Sequence, residues 1–204
     1  MKTRSKALLL TLCAVLLVAA SVLGTMAYLT DEDKVENTFT VGKVDITLDE
    51  ASVDVNGATV EGAGRVRTNE YKLMPGHEYT KDPTVHVTAG SENSWIFVKV
   101  EDGISAYEDT SLTIHDQLAT NKWTALNGVA NVYYKEYSKS DSATDLVVFS
   151  KFKIADKADE VAGWGNFKDV KVTVTAYAVQ KDGFDTAIAA WKATFGATTT
   201  TSNP

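Results

Sequence analysis

Beyond residue 38 the dominant pattern is alternation of apolar and polar positions with a period of two, the signature of a half-buried strand. Val44, Ile46 and Leu48 alternate with Asp45, Thr47 and Asp49. Ser52–Val55 and Ala58–Val60 flank Asn56-Gly57, a pair that favours a tight hairpin. Thr84–Thr88, Val132–Tyr137 and Leu146–Ile154 read as further strands. Trp95–Val100 is apolar on both faces, which predicts a central strand. Val170, Val172, Val174, Ala176 and Ala178 form one face opposite Lys171, Thr173 and Thr175. No helical pattern alternates with these runs, so a parallel α/β sheet is excluded as the basis of the fold. The expected fold class is all-β, an antiparallel β-sandwich of jelly-roll type.

One C-terminal helix is predicted. Asp185 is placed to cap it, and Phe184, Ile188, Trp191 and Phe195 recur at helical spacing. After Gly196 the Thr-rich run 197–204 is of low complexity and is expected to be disordered.

The first thirty residues are a different material. Lys2, Arg4 and Lys6 precede an uncharged run from Ala7 to Thr30. A basic start followed by an apolar stretch is the pattern of an export signal. Thr25 and Ala27 put small side chains at positions −3 and −1 of a cut before Tyr28. The same run is long enough to serve as an uncleaved membrane anchor, and small residues at the junction favour cleavage. The expected organisation is a signal peptide at 1–27, one domain at 28–196 and the tail. Removal of the signal takes the net charge from −7 to −10 and removes Cys13, the sole cysteine.

Acidic balance excludes nucleic acid as a partner, because phosphate contacts need clustered Lys and Arg. His77, His86 and His115 lack the spacing that places two imidazoles on one helical face, so no zinc site and no cofactor is expected. No G-x-S-x-G elbow and no phosphate loop is present, and no catalytic residue is assigned. Asp31-Glu32-Asp33 with Glu36, and Glu101-Asp102, read as solvated charge runs.

The stretch Met26-Ala27-Tyr28-Leu29-Thr30-Asp31, followed by Asn37-Thr38-Phe39-Thr40-Val41-Gly42, resembles exported Gram-positive proteins processed by a SipW-type signal peptidase. That group contains the biofilm fibre protein TasA and the camelysins. Leu73-Met74-Pro75-Gly76 with Lys81-Asp82-Pro83-Thr84-Val85 is similar to the group's P-G … K-D-P-x-V stretch. Gly90-Ser91-Glu92 before Trp95–Val100, and Ala176–Gln180 leading to Gly183-Phe184 and Ala190-Trp191, add to the likeness.

The resemblance implies a secreted, non-enzymatic protein of the cell surface or the extracellular biofilm matrix. It implies assembly with copies of itself into fibres, the N-terminal segment acting as donor strand for the next subunit's sheet. Here the donor is residues 28–39, with Tyr28, Leu29, Val35 and Phe39 as its apolar side chains. The signal peptidase is the other expected partner, and membrane contact is limited to the uncleaved signal. Two alternatives stay open: a camelysin-like secreted metalloendopeptidase and a monomeric surface adhesin. The cleavage reading predicts that exported protein begins at Tyr28, as N-terminal sequencing of secreted material will show. An extracellular chain that starts at Met1 or Lys2 contradicts it.

Overall fold

The computed structural model describes residue 6 and residues 11–18, 43–167 and 170–196. The expected cleavage residues Thr25, Ala27 and Tyr28, the donor segment 28–39 and the tail 197–204 lie outside these. The chain divides into two compact units, Met1–Val41 and Gly42–Pro204. Residues 11–18 of the first are helical. Among the described residues no helix is long and apolar enough to cross a membrane.

Among the described residues the second unit carries nine strands, all paired antiparallel. They are β1 (Ile46–Asp49), β2 (Glu78–Thr80), β3 (Thr84–Val87), β4 (Ser94–Asp102), β5 (Thr124–Ala125), β6 (Val132–Tyr137), β7 (Thr144–Val147), β8 (Lys151–Lys153) and β9 (Val172–Gln180). Helix α1 (Ile114–Thr120) lies between β4 and β5, and helix α2 (Ala187–Phe195) follows β9. Three sheets result: β1-β3-β7, β2-β8 and β5-β6-β4-β9. The all-β antiparallel class and the C-terminal helix agree with the sequence pattern.

Strand β4 organises the unit. It is flanked by β6 and β9, with β9 in register along all nine residues from Ser94↔Gln180 to Asp102↔Val172. Alternate residues of a strand face opposite sides. Ile96, Val98 and Val100 enter the main core beside Val85, Val87, Phe149, Phe152 and Ile154. Trp95 and Phe97 enter a second core with Val179, Ala190 and Trp191 of α2. The continuous apolar run of Trp95–Val100 therefore reflects a strand covered on both faces.

Several details depart from the sequence reading. Leu146–Ile154 is not one strand. Val148 and Phe149 are fully buried and carry the chain from β7 in one sheet to β8 in another. The Asn56-Gly57 hairpin is reduced to a single Val53↔Thr59 bridge. Its turn is set by Asp54, whose carboxylate accepts the Asn56 and Ala58 amides. Of the pair only Gly57 has positive φ (+80°), and a Cβ there would stand 2.8 Å from Tyr79 Cα, so the position requires glycine. Helix α2 is capped by Thr186, not Asp185; the Thr186 hydroxyl accepts the Ala189 amide at 3.3 Å. His115 lies in helix α1, an element that the period-two pattern does not predict. Asp102 is not solvated like its neighbour Glu101: its side chain is 2% exposed, against 54% for Glu101.

Trp191 packs against Phe97 and Tyr177 and is 6% exposed, so α2 belongs to the core. Trp191→Ala is expected to cost about 3–5 kcal/mol. Trp191→Phe, which retains most of the ring contact, is expected to cost less than half of that. Chemical denaturation at neutral pH checks both; an unchanged midpoint for Trp191→Ala would detach the helix from the core.

Candidate functional site

The two larger sheets approach each other at β1 and β9 without pairing there. Strand β1 has β3 as its only strand neighbour among the described residues, and β9 has only β4. Their free edges flank a groove of about 1000 Å³. Its walls are β1 and the stretch Val172–Ala176 of β9. Leu73, Ile104 and Phe152 also line it.

The side chains that point inward from these walls are apolar. Ile46 and Leu48 do so from β1; Val172, Val174 and Ala176 do so from β9. All five remain half-buried, whereas Ile96 and Val98 on the strand next to β9 are fully buried. Here an apolar surface of the main core is left part open, beside two strand edges that have no strand partner on that side among the described residues.

The β1 wall is fixed from its outer side by a charged network. Arg65 bonds the Asp49 carboxylate through Nε and Asp82 Oδ2 through Nη1 at 2.9 Å. Its Nη2 reaches Asp82 O and Thr84 Oγ1, each at 3.0 Å, so one guanidinium ties β1 to the start of β3. His86 of β3 stands between two carboxylates. Nε2 lies 2.8 Å from Asp49 Oδ1 of β1, and Nδ1 lies 2.6 Å from Asp145 Oδ1 of β7. Two acceptor-only partners require both ring nitrogens to donate, so this chain of bonds across three strands selects the imidazolium. Burial works against that charge, but the bonds to Asp145 and Asp49 outweigh it and raise the His86 pKa. Burial also opposes the charge of Asp49, and Arg65 and His86 outweigh it and hold its carboxyl below the usual range.

The base of the wall is a second buried set. Glu50 accepts Lys81 Nζ at 2.6 Å and Asn69 Nδ2 at 2.9 Å. Tyr71 seals this end, its hydroxyl donating to Thr80 O at 3.0 Å. Burial, then the charges of Glu50 and Asp82, push its pKa upward. The tyrosine is therefore a neutral donor at physiological pH.

The three histidines are not brought together. His77 Nε2 bonds Asn56 O at 2.8 Å, His86 lies in the β1–β3–β7 network, and His115 Nδ1 bonds the Tyr133 hydroxyl at 2.8 Å. Among the described residues no group of three or more His, Cys, Asp and Glu side chains is arranged to hold a metal ion. Sequence reading identified β1 and β9 as strands but not the groove, because strand order is set by pairing partners far apart in the chain. Comparisons with protein-family models, curated proteins and solved structures found no match.

The His86 network implies a pH dependence of definite sign. A histidine raised in the folded state contributes stability that is fully present below its unfolded value, about 6.5. That contribution is lost as pH rises through the folded value. Wild-type stability is expected to fall more steeply than that of His86→Gln between pH 6 and 8.5. Denaturation at a series of pH values checks this; parallel profiles would mean that His86 gains no proton affinity on folding.

Proposed function

We propose that this chain is a secreted, non-enzymatic surface or matrix protein that assembles by accepting a strand from another copy in the β1–β9 groove. The observation that supports the reading is the set of five half-buried apolar side chains between two strand edges that are unpaired among the described residues. A strand laid there pairs with main-chain groups and covers those side chains at alternate positions.

The groove dimensions suggest which part of the N-terminal segment enters. At about 3.3 Å per residue, the lining stretches Ile46–Asp49 and Val172–Ala176 span roughly 13 and 16 Å. About five donor residues fill that length. In Val35-Glu36-Asn37-Thr38-Phe39, Val35 and Phe39 share one face with Asn37, and Glu36 and Thr38 face away. Tyr28 and Leu29, with the acidic residues Asp31, Glu32 and Asp33, then lie beyond the groove, where their charge incurs no burial cost. This narrows the expected donor from 28–39 to its second half.

In this reading the protein belongs with TasA-like proteins of the extracellular matrix or cell surface, with the jelly-roll connectivity that the likeness implies. Export removes the apolar leader and frees the donor segment, which confines assembly to the outside of the cell. A chain beginning at Tyr28 is expected to form higher oligomers or filaments by size-exclusion chromatography and electron microscopy. A chain beginning at Thr40 stays monomeric, and Val35→Asp in the longer chain reduces assembly. Identical behaviour of the two lengths at high concentration would exclude donor-strand exchange.

A further inference from the structure

The chain contains two Asn-Gly pairs, Asn56-Gly57 and Asn127-Gly128, and the fold holds them differently. Such a pair is chemically labile. The glycine amide nitrogen attacks Asn Cγ, a new C–N bond forms, and the Cγ–Nδ2 bond breaks with loss of ammonia. Hydroxide takes the proton from the attacking nitrogen. Water then opens the cyclic imide at either carbonyl and leaves aspartate or isoaspartate. Glycine permits the attack because it has no Cβ to obstruct it. The ring closes only after rotation about the asparagine Cα–C bond, so a peptide unit that is bonded on all sides reacts only when it opens.

Asn56-Gly57 is bonded on all sides. The Asn56 amide donates to Asp54 Oδ1 at 2.9 Å, and Asn56 O accepts from His77 Nε2 at 2.8 Å. The Gly57 amide, the nucleophile of the reaction, donates to Asp54 O at 2.9 Å, and Gly57 O accepts the Thr80 amide at 3.2 Å. Gly57 is also buried against Tyr79.

Asn127-Gly128 forms the turn between β5 and β6. One hydrogen bond closes it, from the Val129 amide to Leu126 O at 3.1 Å. Gly128, at the third position, takes the positive φ (+78°) that such a turn requires. Among the described residues no hydrogen bond reaches the backbone or the side chain of Asn127 or Gly128. Both residues are exposed, and a Cβ on Gly128 would meet nothing within 4 Å. Amide nitrogen, carboxamide and water therefore meet in a turn with a single bond to break.

We propose that Asn127 is a spontaneous deamidation site of the folded chain, that the fold suppresses the same reaction at Asn56, and that the isoaspartyl product at 127 loosens β5. The product puts a negative charge in the turn, and isoaspartate lengthens the backbone by one carbon between Leu126 and Val129. Both of these residues are buried in the second core, and the Leu126 amide donates to Val132 O at 2.8 Å. Among the described residues β5 is held by β6 alone, so the added length falls on the weakest edge of its sheet. Neither Asn127 nor Gly128 lines the groove, and the modification does not depend on strand uptake there.

The experiment holds the intact chain in mildly alkaline buffer and samples it over days. Peptide mapping by mass spectrometry, with isoaspartyl methyltransferase labelling, reads the two junctions separately. Asn127 is expected to convert about tenfold or more faster than Asn56, because opening the Asn56 junction breaks several hydrogen bonds. In denaturing urea the two are expected to convert at similar rates, which shows that the fold and not the local sequence makes the difference. Equal rates in the folded chain, or conversion of Asn127 in urea alone, would overturn the assignment. The isoaspartyl form, separated by ion exchange, is expected to show faster amide exchange at Thr124 and Ala125 than the unmodified chain. Identical exchange at those two residues would overturn the effect on β5.

Discussion

The architecture depends on β4 having side chains buried on both faces and strands on both edges. Ile96, Val98 and Val100 build one core while Trp95 and Phe97 build the other. Its nine paired residues hold β9 in register, and β6 secures the opposite edge. Slipping β4 by one residue would exchange the two apolar sets and put Lys99 into the main core. The register is therefore fixed by side chains as much as by the backbone ladder.

Fixing β9 against β4 sends the free edge of β9 toward β1, and the Arg65–Asp49–His86 network holds β1 on β3. The groove is what remains between two edges that are each held firmly from behind. An open edge is ordinarily a hazard that proteins block with charge, proline or a bulge. In this chain Arg65 and His86 brace β1 against β3, and the groove has a mixed lining in which Ile46, Leu48, Val172, Val174 and Ala176 stand beside charged residues such as Glu50, Arg67 and Lys81. A preformed, rigid acceptor reduces the ordering cost of binding an extended segment.

Much of the strand content was legible from sequence because alternation is a local property. Val132–Tyr137 and the apolar faces of β1 and β9 needed only their own residues to be seen. Helix α1 was missed, although Thr113-Ile-His-Asp116 carries a capping signal: the Thr113 hydroxyl accepts the Asp116 amide at 3.1 Å. Leu146–Ile154 was read as one strand because Val148 and Phe149 continue the apolar run; nothing local states that they change sheets. Asp102 and Glu108 had no sequence signal at all. An acidic residue at a strand end, such as Asp102, is ordinarily solvated, and Glu108 is held by partners distant from β4, Ile154 by a bridge and Ile114 by its amide. The groove belongs to the same class of feature, since it is defined by which strands do not meet.

The account turns on whether the facing edges of β1 and β9 take up a strand. Amide hydrogen exchange of a chain beginning at Thr40, measured with and without a synthetic peptide of residues 28–39, reads those edges directly. The account predicts slowed exchange confined to Ile46–Asp49 and Val172–Ala176, with little change at the already paired amides of β4. Unchanged exchange at both edges under saturating peptide, or protection that falls on the α2 face instead, would contradict it.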